Sequence, residues 1–138
     1  MVATVPESGH TSENQTSFGY CLECLEGHIL AAVTETRHAV ERFNSSRKMT
    51  RGVVEKIRVV LAEVQGIDED IGEAEAPTPE AELQLKQILD ASRWIRKNFG
   101  LGGIGLTIGK GTEADLKNLR KQVLYLQKMI YNLASLEG

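Results

Sequence analysis

Three side chains near the amino end of the chain could together bind a metal ion. Cys21, Cys24 and His28 follow one another at spacings of three and four residues, and residues at these spacings lie on one face of an α-helix. Two thiolates and one imidazole are ligands that zinc takes in tetrahedral protein sites. The sequence therefore predicts a structural zinc site at these three residues.

A tetrahedral zinc site needs a fourth ligand from elsewhere in the chain or from a second copy. His10 precedes the predicted helix and could fold back to supply it, whereas His38 lies ten residues past His28 and fits worse. Glu26 and Glu35 are carboxylate alternatives. Two other interpretations of the cysteines stay open, namely buried free thiols and a reversible disulfide.

Apolar residues recur at spacings of three and four in four segments, which predicts an all-α fold, a compact bundle of about four helices. The predicted helices span residues 19–43, 50–66, 79–98 and 112–136. Thr78 and Pro79 suit the first positions of the third helix. Gly66 is expected to end the second helix as a C-cap. Gly27, inside the first helix, indicates a close backbone contact there.

The helices are expected to form a single domain, residues 19–138, in a chain of 138 residues. Residues 1–18 are rich in small polar residues, which predicts a flexible or extended arm. Residues 68–82 contain seven Asp or Glu residues and no Lys or Arg, which predicts a solvated acidic linker between the second and third helices.

Residues 100–111 combine six glycines with four Leu or Ile residues. Their spacing does not match a phosphate-binding loop, and no predicted strand precedes them. One interpretation is a close-packed crossover over the bundle. The other is an exposed apolar loop that contacts a partner, and its candidate partner-binding residues are Leu101, Ile104, Leu106 and Ile108.

The fourth predicted helix carries a wide apolar face. Its stripe runs from Leu116 to Leu136, and Leu124, Tyr125 and Tyr131 widen it. A stripe of this width has enough apolar surface for both the core of the bundle and a partner helix.

Basic residues cluster at the start of the second predicted helix. They could contact the phosphate groups of a nucleic acid, which makes a nucleic-acid-binding regulator an alternative function. The net charge of −3 and the acidic residues that follow argue against it. The candidate residues are Arg47, Lys48, Arg51, Lys56 and Arg58.

No catalytic constellation can be identified in the sequence. Glu35 and His38 have the spacing of one half of a di-iron motif, but no later predicted helix contains a histidine for the other half. A thiol- or metal-dependent enzyme acting through Cys21 is a further alternative. The favoured function is a non-enzymatic structural or adaptor protein that self-associates or docks into a larger assembly, which could be viral.

The sequence also bears on location. It has no run of about 18 apolar residues that would span a membrane and no secretory signal. Two cysteines do not form a secreted disulfide framework. We therefore expect a cytoplasmic protein, or a component of a virion or another particle assembled inside the cell, whose partners are further copies of itself or other proteins of the assembly.

Overall fold

Four α-helices form the structure, a computed structural model that describes residues 10–99 and 113–137. They are α1 (His10–Ser46), α2 (Arg51–Gly72), α3 (Pro79–Phe99) and α4 (Glu113–Glu137). The described residues contain no strand, which confirms the predicted all-α bundle. None of the described helices combines the length and the apolar character that a membrane span requires.

The bounds of α3 and α4 lie within one residue of the predicted bounds, whereas α1 and α2 are longer than predicted. The backbone is helical from His10 on, so α1 begins inside the segment predicted to be an arm. α2 continues to Gly72, so the prediction that Gly66 ends it is wrong. Ile67 and Ile71 extend the buried stripe past Gly66, and this burial outweighs the low helix propensity of glycine.

The core positions follow one pattern in all four helices. Spacings of three and four residues alternate without interruption, which gives the period of 3.5 residues that is typical of left-handed helical bundles. The buried residues in this register are Phe18, Leu22, Leu25, Ile29, Ala32, Thr36, Ala39 and Phe43 in α1; Val53, Ile57, Val60, Val64, Ile67 and Ile71 in α2; Ala81, Leu85, Ile88, Ser92, Ile95 and Phe99 in α3; and Leu116, Leu119, Val123, Leu126, Ile130 and Leu133 in α4.

Each helix packs on two neighbours. α1 packs closely on α2 and α4, and α3 packs closely on α2 and α4, while no Cα atoms of the two diagonal pairs come within 8 Å of each other in the described ranges. The α1–α2 interface is the most extensive. Its polar contacts join Cys21 to Asp70 and Glu35 to Lys56. These two helices are therefore antiparallel, since residue numbers rise along one as they fall along the other.

Two polar residues occupy buried positions of the core. The Thr36 hydroxyl donates to the Val33 carbonyl at 2.7 Å, and the Ser92 hydroxyl donates to the Leu89 carbonyl at 2.9 Å. Both hydroxyl groups are thus satisfied by their own helix, so neither requires a partner from a neighbouring helix.

Candidate functional site

Two rows of polar side chains face each other where α1 packs on α2. Successive members of each row are seven residues apart, so all of them keep the same orientation relative to the buried stripe. We call these two rows the α1–α2 seam. The seam consists of Cys21, His28, Glu35 and Arg42 on α1 and of Lys56, Glu63 and Asp70 on α2.

His28 contacts a carboxylate with each of its two ring nitrogens. Its Nδ1 lies 2.7 Å from Oε1 of Glu63, and its Nε2 lies 3.2 Å from Oδ2 of Asp70. A neutral imidazole carries one N–H group, whereas the imidazolium carries two. Only a ring that carries a proton on both nitrogens could donate to the two carboxylates at once.

The two contacts of His28 differ in kind. The contact with Glu63 is a directed hydrogen bond. Oδ2 of Asp70 is buried and makes no hydrogen bond within the described residues, although Nε2 of His28 is near it. We therefore regard the Asp70 contact as electrostatic, and Asp70 as a buried acceptor that an additional donor or a cation could satisfy.

The His28 ring packs against the backbone of α2 at Gly66. A Cβ atom at Gly66 would lie 2.7 Å from Cε1 and 2.8 Å from Nε2 of His28, which is closer than such atoms approach one another. The ring therefore packs directly on the backbone of α2 at a position where only glycine leaves room. Gly27 is expected to mark a close contact, but no atom of the described residues lies within 4 Å of its Cβ position, so that expectation is wrong for the described part of the chain.

The two cysteines are free thiols in different surroundings. Cys21 is buried, and Cys24 is partly exposed. The Cys21 thiol donates a weak hydrogen bond to the Asp70 carbonyl at 3.8 Å. Burial, together with the charges of Asp70 and Cys24, raises the pKa of Cys21 to about 11. Contact with the Cys24 side chain raises the pKa of the exposed Tyr20 hydroxyl.

The surroundings of Cys21, Cys24 and His28 bear on the predicted zinc site. Within the described residues, no group of three or more His, Cys, Asp or Glu side chains is arranged to hold a metal ion. The raised pKa of Cys21 favours the thiol over the thiolate that zinc requires. The side chain of His10 lies outside the described residues, and Asp70 contacts Cys21 through its backbone carbonyl and His28 through its carboxylate. Zinc binding at Cys21, Cys24 and His28 stays a prediction.

Glu35 joins two basic side chains in the middle of the seam. Its Oε2 accepts from Nζ of Lys56 at 3.0 Å, and its Oε1 lies 3.0 Å from Nδ1 of His38. The hydrogen bond from Lys56, reinforced by His38, holds the pKa of the Glu35 carboxyl below its usual value. Lys56, a candidate for nucleic-acid binding, is thus engaged within the seam.

An open cleft of about 390 Å³ follows the seam towards the turn between α1 and α2. Arg42 packs over Gly52 on one side of it, with Nη1 of Arg42 3.0 Å from the Cβ position of the glycine. The mouth is wide and carries charges of both signs. The cleft is lined by His38, Glu41, Arg42, Ser45 and Lys56.

The other nucleic-acid candidates are distributed around the same turn. Arg47 and Lys48 lie between α1 and α2, Arg51 begins α2, and all three are exposed. Arg58 forms an ion pair with Glu55 at 3.4 Å. The acidic residues that argued against phosphate binding lie at the opposite end of α2, about 33 Å away for a helix of 22 residues. At this distance their repulsion is screened, because the Debye length is about 10 Å at 0.1 M salt.

The candidate partner-binding residues Leu101, Ile104, Leu106 and Ile108 lie outside the described residues. The outer surface of α4 is described, and it carries large apolar side chains. They are Leu124 (39% exposed), Tyr125 (56%), Tyr131 (45%) and Leu136 (50%). We call these four residues the α4 outer face. Leu136, predicted as part of the buried stripe, instead belongs to this face.

Sequence reasoning did not identify Glu63, Gly66 and Asp70 as neighbours of His28. A signal was present, since Glu63 and Asp70 are separated by the same seven residues as Cys21 and His28. Using it required the antiparallel alignment of the two helices. Comparison of the chain with protein-family models, curated proteins and solved structures finds no match.

Proposed function

We propose that the chain is a non-enzymatic structural or adaptor protein that self-associates through the α4 outer face. The observation that carries this proposal is the exposure of four large apolar side chains along one helix of the bundle. Leu124 and Tyr131 are seven residues apart and share an orientation, and Tyr125 and Leu136 lie on the adjoining side of the same surface.

The composition of this surface supports the proposal. Tyrosine is enriched at protein interfaces because its ring buries a large area while its hydroxyl remains hydrated. Lys117, Lys121 and Lys128 are exposed on the same side of α4. Around the helix they lie between the Leu124–Tyr131 pair and the Tyr125–Leu136 pair, where their aliphatic stems can add apolar area to a contact.

Exposed apolar residues are common on any protein. Among the described residues α1 carries Tyr20 and Leu30, α2 carries Val59, and α3 carries Leu83 and Trp94. Concentration on one helix distinguishes α4 from them.

Sedimentation equilibrium of an uncharged double variant, Leu124→Gln with Tyr131→Gln, tests the proposal. The variant should associate at least tenfold more weakly than the wild type, because two apolar side chains no longer contribute to the contact. Leu83→Gln is the control, since it removes a more exposed leucine (57%) from α3 and should leave association unchanged. Equal weakening in the control, or none in the double variant, would contradict the proposal.

A structural zinc ion at Cys21, Cys24 and His28 is a separate part of the proposal. It is supported by the position of Asp70, whose backbone carbonyl accepts from Cys21 and whose carboxylate contacts His28; the carboxylate offers a fourth ligand. Native mass spectrometry with added zinc should show one ion per chain, and Cys24→Ser should lose it. A chain that retains no zinc, or a Cys24→Ser variant that retains as much as the wild type, would contradict this part.

A further inference from the structure

The two ends of α2 carry charge of opposite sign. Residues 42–51, around the turn between α1 and α2, contain four basic residues and no acidic residue. Residues 68–82, around the connection between α2 and α3, contain seven acidic residues and no basic residue. The 22 residues of α2 hold the two clusters about 33 Å apart.

The basic cluster is exposed and lacks partners in the described part of the chain. None of its four residues forms an ion pair with a described carboxylate, in contrast to Lys56, which binds Glu35, and Arg58, which binds Glu55. We call this cluster the basic end. It consists of Arg42, Arg47, Lys48 and Arg51.

The acidic cluster likewise contains exposed charged residues that form no ion pair in the described part of the chain. Asp68 accepts from Arg96 at 2.9 Å, and Asp70 contacts His28, so these two carboxylates already have contacts within the bundle. The remaining exposed carboxylates of the connection and of the first turn of α3 form no ion pair with a described cation. We call them the acidic end, which consists of Glu73, Glu75, Glu80 and Glu82.

Local helix stability accounts for only part of this arrangement. Glu80 and Glu82 stabilise the amino end of α3, where negative charge is favourable. Arg51 is the first residue of α2, where a positive charge is unfavourable. Arg47 has a φ of 56°, a conformation that favours glycine and costs an arginine roughly 1 kcal/mol. Two cations of the basic end therefore occupy positions that local stability disfavours.

We infer that the basic end of one copy docks on the acidic end of a second copy, head to tail. This inference rests on the proposed self-association and adds to it a second, electrostatic contact. Both surfaces of the contact are present on every copy, so each copy offers one free end to the next. Such a heterologous contact builds open chains unless the rotation closes a ring. A nucleic acid would use only the basic end, whereas a second copy uses both ends.

Charge-reversed variants test the inference. The first variant carries Arg47→Glu, Lys48→Glu and Arg51→Glu, and the second carries Glu73→Lys, Glu75→Lys and Glu82→Lys, so that three of the four charges are reversed at each end. Each variant alone should associate at least tenfold more weakly than the wild type, because its two ends then repel. An equimolar mixture should regain association, since the reversed ends complement each other. Lys86→Glu with Lys97→Glu, at exposed positions of α3, is the control and should behave as the wild type.

Salt dependence separates this inference from the proposed function. Wild-type association should weaken between 20 and 500 mM NaCl, because added salt screens the contact between the ends. Association that rises with concentration but does not change with salt or with either charge reversal would contradict the head-to-tail contact. It would remain consistent with the α4 interface. The contact would also be wrong if the basic-end variant lost binding of a 20-nucleotide DNA while it self-associated as the wild type does.

Discussion

The α1–α2 interface and the α4 helix are held in the bundle by different means. Across the α1–α2 interface, ion pairs and the close fit of His28 on Gly66 accompany the apolar core. The six core positions of α4 are all Leu, Ile or Val. Polar contacts and close fits fix a register, because they are lost when one helix slides along the other, whereas apolar contacts are less directional. We conclude that the α1–α2 pair sets the register of the bundle and that α4 completes its core.

The largest effect is expected from the core of α4. Leu126 is fully buried and Leu124 is 39% exposed, although they are two residues apart on one helix. Leu126→Ala should lower the free energy of unfolding by about 3 kcal/mol, because it leaves a cavity. Leu124→Ala, the matched control, should change it by less than about 0.5 kcal/mol. Urea unfolding measures both, and similar losses in the two variants would contradict the register of α4.

A smaller effect is expected where His28 packs on Gly66. Gly27→Ala, at a position with open space, should stabilise the protein by about 1 kcal/mol through helix propensity. Gly66→Ala should lack this gain, because the new methyl group displaces the His28 ring from both carboxylates. In a His28→Ala background, Gly66→Ala should recover it. A full gain from Gly66→Ala alone would show that the ring does not pack on the glycine.

The fold could be predicted from the sequence because its core has one uninterrupted period. The stripe that begins at Leu116 and the second helix, predicted over residues 50–66, were identified by spacing alone. The first part of α1 was not, since the side chains between His10 and Phe18 lack an apolar stripe. The low helix propensity of glycine predicts that α2 ends at Gly66, but α2 continues past it because Ile67 and Ile71 are buried.

The surroundings of the candidate site were less predictable. Spacing along one helix placed Cys21, Cys24 and His28 on a common face, but it carried no information about the helix opposite. Glu63 and Asp70 lie 35 and 42 residues after His28 in the chain. Their contact with the ring depends on how two helices align, and a single-helix pattern does not contain that alignment.

The ion pair in the middle of the seam predicts a response to acid. The pKa of Glu35 is lowered in the folded state, so the unfolded chain takes up the proton first as the pH falls. The contribution of Glu35 is therefore complete above its unfolded pKa of about 4.3 and is lost as the pH falls through the lower folded value. Urea unfolding at pH 6 and pH 3 should show a smaller acid loss for Glu35→Gln. An equal loss of unfolding free energy in both proteins would show that the ion pair of Glu35 with Lys56 does not stabilise the fold.

The smallest expected effect is on the alkaline side. The pKa of Cys21 is raised to about 11, so the unfolded chain releases the thiol proton first as the pH rises. The contribution of Cys21 is complete below its unfolded pKa of about 8.5 and is lost as the pH rises towards 11. Cys21→Ala should lose less stability than the wild type between pH 7 and pH 10. A Cys24→Ser variant that a thiol reagent labelled rapidly while folded would contradict the burial of Cys21.

Self-association is the central claim, and sedimentation equilibrium of the wild-type chain from low to high micromolar concentration in 20 mM NaCl tests it most directly. We predict an average mass that rises with concentration above the 15.2 kDa of one chain. A mass of 15.2 kDa at every concentration would contradict both the α4 interface and the head-to-tail contact.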